Sequence, residues 1–518
     1  MSNTTRIENF VKTKSRRPRA FVLGNIANNG YLNAQVLEQA GFDVLVWGGD
    51  DPYLMSHPTW ELDEYSVSKG SNHFAIDYLS LDVEPARIPW FFSGSMDLAT
   101  QYFVAIFRGN FDEAYKIFCT SVIMLMERPN QLDWSAYVAD QLYCGEEKRN
   151  DFFEYCRDTY SRYFSGRDAS EGIHKLIDKF KAPQSGWCGT RFSHDWTEIY
   201  IDRSYPDLEF WKSKFNDRYP PIEFQLNFTS AEQIYNQSQF GQLSQDELNI
   251  WSGFPDRWRE IFENVDCIIA TSIYGAIPML NGVANYTCYE HGTIRDLPFL
   301  GDGQGRMLLL TYSEAAHIFS TNADVYDQAL YLSENKAEKI TRLPHAFDNG
   351  AQVDIIKKKD SFFSEVMKKF TREKAISVST TGQKYQILAP ARHDWAIKGT
   401  QIILEAAKLI SKDEIQFEFV FVSWGNEVER SKAFLEENEI EDCVSWVELC
   451  SKPGLRKLMA QSFVVLDQFN HSAFGTLTLE ALGLGVPVIT RINEESMKSF
   501  FGQSPPVLNA STPEQIVN

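Results

Sequence analysis

Residues 462–490 read SFVVLDQFNHSAFGTLTLEALGLGVPVIT, and this stretch decides the fold. Phe463, Val464, Val465 and Leu466 form an apolar, largely β-branched run of strand length that stops at Asp467. A polar loop runs from Gln468 to Gly475, after which Leu477, Leu479 and Leu482 mark a short helix over 476–484. Gly485 supplies a left-handed cap, and 486–489 is the next buried strand. A strand–loop–helix–strand unit of this kind belongs to a parallel sheet with helices on its faces. Its loop falls at the carboxyl edge of the sheet, where such folds bind ligands, and the helix start offers unpaired N–H groups to an anion. Glu480 lies about one turn inside that helix, within reach of a ligand hydroxyl at the same mouth.

Working outward, the same alternation continues toward the amino terminus. Helix 453–461 follows strand 443–448, and helix 427–438 follows strand 417–423, whose mouth is Trp424-Gly425-Asn426. Helix 400–410 follows strand 385–390. Short loops join all of these, the doubly wound pattern. The loop between the last pair, Ala391-Arg392-His393-Asp394-Trp395-Ala396-Ile397-Lys398-Gly399, carries two cations at a helix start. Arg392 offers a planar fork and Lys398 a point charge, a pairing suited to phosphate oxygens.

These residues resemble a known signature. SAFGTLTLEALGLGVPVI is similar to the donor site of retaining, nucleotide-sugar-dependent glycosyltransferases of family 4 (group 1), which have the GT-B fold. That signature reads Glu-x-Phe-Gly, further residues, Glu-Ala, then Gly-x-Pro-Val; Phe474, Gly475, Glu480, Ala481, Gly485, Pro487 and Val488 match it in register. Its first glutamate falls on Ser472, a departure at the position that contacts the donor sugar. The resemblance implies that Arg392 and Lys398 grip the donor diphosphate and that Glu480 takes the ribose hydroxyls. It also implies that Ser472, Phe474, Gly475 and Thr476 line the donor sugar or phosphate. Trp424 and Gly425 would lie against the nucleotide, and Val447, at the end of strand 443–448, near the base.

The first domain is less regular. Strand 20–23, the loop Gly24 to Tyr31, a helix over 32–40 closed by Gly41, and strand 43–47 make a βαβ unit. The loop lacks the G-x-G-x-x-G spacing of a dinucleotide fingerprint, which argues against a nicotinamide enzyme. Through the resemblance Gly24, Asn25 and Asn28 become candidates at the cleft. Ile88 to Phe92 suggests another strand. The aromatic, amphipathic segments that follow predict a largely helical insertion over about 90–260, with Tyr115, Phe118, Cys119, Val122 and Met126 as a core-facing stripe. The sheet resumes with 266–271 and with 285–290, which ends at His291-Gly292. The resemblance places His291 against the donor sugar, within a polar cluster that runs from Tyr289 to Asp296. No Ser/His/Asp or Cys/His nucleophile arrangement is recognisable around it. Segments 315–320 and 340–344 complete the sheet, and 343–348 resembles the interdomain crossover, with Ala346 in place of a glycine.

The expected architecture is therefore α/β: two Rossmann-like, doubly wound domains facing a cleft. Residues 1–17 are a flexible, weakly basic tail, 18–348 the acceptor domain, and 349–518 the donor domain, opened by a charged linker over 349–384. The final stretch, 513–517, reads as a helix just beginning, so the chain is expected to stop short of the closing helices of the fold. A length of 518 residues fits two or three domains, and 43% hydrophobic residues a well-buried protein. A net charge of −20 argues against a nucleic-acid partner. No apolar run approaches the ~20 residues of a spanning helix, so membrane contact is expected to be peripheral at most. Eight cysteines without a C-x-x-C pair indicate neither a zinc site nor a disulfide framework, and a reducing cytoplasm is the expected setting. The function expected is transfer of a sugar from a nucleotide diphosphate donor to a glycan or lipid-linked acceptor, with no cofactor and no metal. The alternative is a nucleotide-sugar-binding or regulatory protein derived from the same fold.

Overall fold

The computed structural model describes residues 11–49, 53–67, parts of 83–122, 255–299, 303–347, 385–411 and 417–518. Most of the expected helical insertion, the linker over 349–384 and Asp50-Asp51 lie outside the described residues. The first sheet comprises β1 (Arg19–Leu23), β2 (Asp43–Trp47), β3 (Phe91–Phe92), β4 (Cys267–Thr271), β5 (Tyr286–Tyr289), β6 (His317–Ser320) and β7 (Ile340–Arg342). The second comprises β8 (Tyr385–Ala389), β9 (Phe417–Ser423), β10 (Val444–Glu448), β11 (Val464–Leu466), β12 (Val488–Thr490) and β13 (Leu508–Asn509). Their spatial orders are β3-β2-β1-β4-β5-β6-β7 and β10-β9-β8-β11-β12-β13. The described pairings are parallel, with Ala20 set between Val44 and Cys267, and Val465 between Leu388 and Val488. Parallel strands covered on both faces must be apolar throughout, and β1, β2 and β11 are buried at every residue. This is an α/β architecture of two parallel, doubly wound sheets.

Helices on the first sheet are α1 (Asn29–Gln39), α2 (Thr59–Leu62), α3 (Met96–Phe107), α4 (Pro255–Glu263), α5 (Ala276–Leu280), α6 (Gly303–Glu314) and α7 (Tyr326–Leu332). Those on the second are α8 (Thr400–Ile410), α9 (Val428–Glu437), α10 (Lys452–Gln461), α11 (Thr476–Gly483), α12 (Glu494–Phe501) and α13 (Pro513–Val517). Aromatic packing dominates the first core: Phe21 meets Phe103 edge-on at 4.8 Å between centroids, and Trp47 lies 5.6 Å from Trp258.

Three expectations change. Helix α1 starts at Asn29, not at 32, after a 3₁₀ turn over Ile26–Asn28 with Ala27 and Asn28 in left-handed conformations. Strand β3 is only Phe91–Phe92. The basic residues closing the amino-terminal tail are tethered rather than solvated. Arg16 Nη1 pairs with Asp266 at 2.6 Å, and Arg17 Nε donates to the Gly41 carbonyl at 2.9 Å.

The two sheets meet through α2 and the residues after it. Val67 N donates to Leu449 O (2.7 Å) and Ser451 N to Tyr65 O (2.9 Å), an antiparallel bridge across the domains. Val422, Trp424 and Leu449 of the second unit join the first unit's apolar core. Among the described residues no helix is long and apolar enough to cross a membrane.

Candidate functional site

Strand order reverses at β1/β4 in one sheet and at β8/β11 in the other. Loops leaving the carboxyl ends on either side of such a reversal diverge and open a crevice. At β8/β11 that crevice is lined by 390–399 and 467–475. The first loop is stiffened from within: Ile397 N donates to Asp394 Oδ1 (2.8 Å), and Lys398 N to the Asp394 carbonyl (2.9 Å). Gly399, at φ +72°, then turns the chain into α8, a left-handed conformation that favours glycine. The Lys398 carbonyl accepts from Phe469 N (2.9 Å), tying the two loops together.

This geometry brings the predicted cations together. Lys398 Nζ donates to Gln468 Oε1 at 2.6 Å, while the Arg392 guanidinium, half-buried, pairs with Asp394 at 3.1 Å. Burial, together with the positive fields of Arg392 and Arg295, holds the Lys398 ammonium below its ordinary range, against the opposing pull of Asp467 and Asp394. A site so loaded with positive charge favours an arriving anion. Beside it, α11 starts at Gly475 with no side-chain cap, and a side chain built there would meet nothing within 4 Å. The start of α11 therefore has open space at Gly475 and N–H groups left without a side-chain cap. Asp467 is buried and accepts from Thr478 Oγ1 (2.6 Å), which anchors the first turn of α11 to the end of β11. Ser472 is half-buried, and its carbonyl accepts from Asn493 N (2.8 Å). Thr476 is half-buried at the first helical position.

Glu480 is 1% exposed, and its Oε1 sits 2.5 Å from Lys452 Nζ. It therefore lies deeper and more constrained than a surface carboxylate. His291 follows β5, and the left-handed Gly292 turns the chain after it. Its Nε2 is buried with no hydrogen-bond partner among the described residues, and burial pushes the imidazole down to about 4. The ring is neutral at physiological pH. Glu290, fully buried, accepts from Gly292 N and so fixes this turn; burial raises its carboxyl pKa.

Several other candidates make their contacts within the protein. Asn25 is 1% exposed and spends its amide internally: Nδ2 donates to Asn28 Oδ1 (2.8 Å) and Ser56 O (2.7 Å), and Oδ1 accepts from Tyr31 N (2.8 Å). Asn28 donates to the His57 carbonyl. Gly24, at φ +89°, is a packing glycine, because a Cβ would come within 2.6 Å of Tyr274. Trp424 is buried, its indole N–H on the Pro390 carbonyl at 2.9 Å. Gly425 lets the chain approach His393, whose backbone a Cβ would meet at 2.7 Å. Both support the 390–399 loop from behind. The Phe474 ring stacks on Phe501 (5.8 Å) inside a small apolar cluster, leaving its neighbour Gly475 as the open position. Val447 sits within the ladder opposite Val422, and its side chain packs into the core.

Sequence reading missed Arg295, Gln468, Lys452 and Glu61. Arg295 makes a two-pronged pair with Asp324, at 2.8 and 2.9 Å, and its field reaches Lys398 and His471 in the other domain. It stood inside the polar cluster after β5 but in no motif, so only the fold could assign it to the cleft.

No curated protein matches the chain. Among solved structures, the chain is similar to the lipopolysaccharide outer core galactosyltransferase WaaB in its apo form, at 12% identity and TM-score 0.33, covering 49% of this chain and 64% of that one. It is also similar to HepE of Anabaena in complex with UDP and glucose (15%, TM-score 0.38, 51% of this chain and 70% of that one). A third is a UDP-forming trehalose-phosphate synthase from Burkholderia xenovorans (12%, TM-score 0.38, 54% and 70%). The likeness to WaaB thus spans under two thirds of that protein's length. Residues 371–502, which hold Arg392, Lys398, Gly475 and Glu480, match the family described as Glycosyl transferases group 1.

Proposed function

We propose that the protein moves a sugar from a nucleotide diphosphate sugar to an acceptor hydroxyl, between the carboxyl edges of its two sheets. The observation that carries this reading is the convergence of Arg392, Lys398 and the uncapped start of α11 at one switch point, with Glu480 inside that helix. The cations and the amides near Gly475 bind the diphosphate. As the bond from the anomeric carbon to the phosphate oxygen breaks, negative charge grows on the leaving group. Cations already in place stabilise that charge more than the ground state. Glu480 accepts from ribose hydroxyls, and His291 hydrogen-bonds the sugar through its unpartnered nitrogen. We expect retention of anomeric configuration, no metal, and a glycan or lipid-linked acceptor on the first domain's side.

A second reading, a binding protein without turnover, is favoured by Ser472 standing where the signature has a carboxylate. One experiment separates the two. Thermal unfolding is followed with UDP, GDP, ADP and their sugars, and each binder is then assayed for release of free nucleoside diphosphate in the presence of simple glycoside acceptors. Both readings expect a rise in Tm with one diphosphate, lost in Arg392→Ala, since a ligand at a hundredfold excess over Kd adds ~2.7 kcal/mol. Diphosphate release supports the transferase; binding without release supports the second reading; no binding at all overturns both.

A further inference from the structure

The first domain reaches toward the candidate donor site through Glu61, one member of a cluster of four charges whose other three belong to the second domain. Helix α10 begins with Lys452, whose ammonium touches Glu480 at 2.5 Å; their side chains are 12% and 1% exposed. One turn further along the same helix, Arg456 pairs with Glu61 of α2 at 3.1 Å, with exposures of 3% and 5%. Lys452 and Arg456 stand four residues apart on one helix face, an arrangement that repels unless carboxylates oppose it. A lysine at the first helical position is also disfavoured by the helix dipole, and α10 has no acidic residue in its first turn to offset it. The opposing carboxylates come from two domains, Glu480 from the second and Glu61 from the first. Glu61 Oε1 is buried without a hydrogen-bond partner among the described residues, and the fields of Lys452, Arg456 and Glu480 all reach this carboxyl.

The stem of Lys452 is held by the same domain. Ser451, the residue before it, does not cap its own helix; its Oγ accepts from Tyr65 N (3.1 Å), and its own N donates to Tyr65 O (2.9 Å). We propose that Lys452 is a positioning residue for Glu480, and that Glu61 and the residues after it, by holding Lys452, make the hydroxyl-binding carboxylate of the second domain depend on docking of the first. This rests on the donor-site reading above. When the domains are docked, Lys452 touches Glu480 at 2.5 Å within the field of Glu61, which pairs with Arg456 one turn along the same helix. Without Lys452, the repulsion between Glu480 and Glu61 loses one of its two intervening cations, and Glu480 loses its fixed orientation.

The test uses two probes on the full chain, titrated calorimetrically: whichever of UDP, GDP or ADP binds, and inorganic pyrophosphate. Pyrophosphate meets Arg392, Lys398 and the α11 amides but has no hydroxyls for Glu480. Lys452→Met is expected to weaken the nucleotide roughly tenfold or more, the scale of a charge-assisted hydrogen bond, while leaving pyrophosphate affinity unchanged. It should also abolish any preference for the nucleotide over its 2′-deoxy form. Lys452→Arg should restore both, and Glu61→Gln should weaken the nucleotide alone, by a smaller factor. Thermal unfolding of each variant is recorded first, and titrations are run well below its Tm. Nucleotide binding unchanged in Lys452→Met, or lost in parallel with pyrophosphate, overturns the positioning role and leaves the donor site standing. Failure of the unmodified chain to bind either probe overturns the donor-site reading itself.

Discussion

At the scale of single residues, side-chain chemistry and depth do different work. Glu480 and Asn25 both sit after or near the carboxyl end of a strand, and sequence suggested a ligand for each. Both are 1% exposed, and their partners separate them: Asn25 hydrogen-bonds Asn28, Ser56 and Tyr31 within the first domain, whereas Glu480 pairs with the Lys452 ammonium at 2.5 Å. Glu480→Ala is expected to weaken nucleotide binding by ~1–3 kcal/mol, since it removes charge-assisted hydrogen bonds. Calorimetric titration checks this, and unchanged affinity would sink the assignment. Arg392→Lys should lose affinity nearly as Arg392→Ala does if the guanidinium grips phosphate as a fork, because an ammonium cannot make the two-pronged contact. Full retention of affinity in the lysine variant would reduce Arg392 to a point charge.

Among elements, the loop over 390–399 and the start of α11 form the candidate donor surface, and glycines decide how closely they are backed and how far they open. Gly475 lies at φ −98°, ordinary for any residue, with open space around it. Gly475→Asp should therefore fold normally and even gain a few tenths of a kcal/mol from a better helix cap. Its carboxylate would stand where phosphate belongs, so diphosphate affinity should fall sharply. Melting and titration together check the opposite signs; equal affinity would move the phosphate elsewhere. Gly425 is the reverse case, at φ +103° and pressed on the His393 backbone. Gly425→Ala should cost ~1–3 kcal/mol of stability through backbone strain. It should also displace the loop bearing Arg392, lowering affinity at a site it never touches. Chemical denaturation and the same titration measure both effects.

For the molecule as a whole, buried imidazoles set the response to acid. Burial pushes His291 and His393 down to about 4 and His57 and His345 to about 3, whereas the unfolded chain binds protons near the ordinary histidine value of ~6.5. Between those values the unfolded state holds more protons than the folded one, so stability falls as pH drops below ~6.5 and continues falling toward 4. Each group contributes up to ~1.4 kcal/mol per pH unit across that window. Denaturation midpoints at pH 8, 6 and 5 should show a plateau and then a decline, and His57→Gln should flatten it; a flat profile would mean that these rings are solvated.

The local period of the chain was enough for the elements. Continuous apolar runs gave β2, β9 and α8 their residue limits, because parallel strands buried on both faces and an apolar helix stripe leave unmistakable patterns. Local spacing also singled out Arg392, Lys398, Gly475 and Glu480 as candidates, since each stands at a fixed offset from a strand end or helix start. What it could not carry was any relation between residues distant in the chain. The pairing of Glu61 with Arg456, separated by 395 positions, and the sharing of Lys452 with Glu480 exist only once two sheets are folded and docked. Trp424 and Asn25 show the converse. Their residue types suit a ligand, but the tertiary structure buries them, and a buried polar atom must spend its hydrogen bonds on the protein itself.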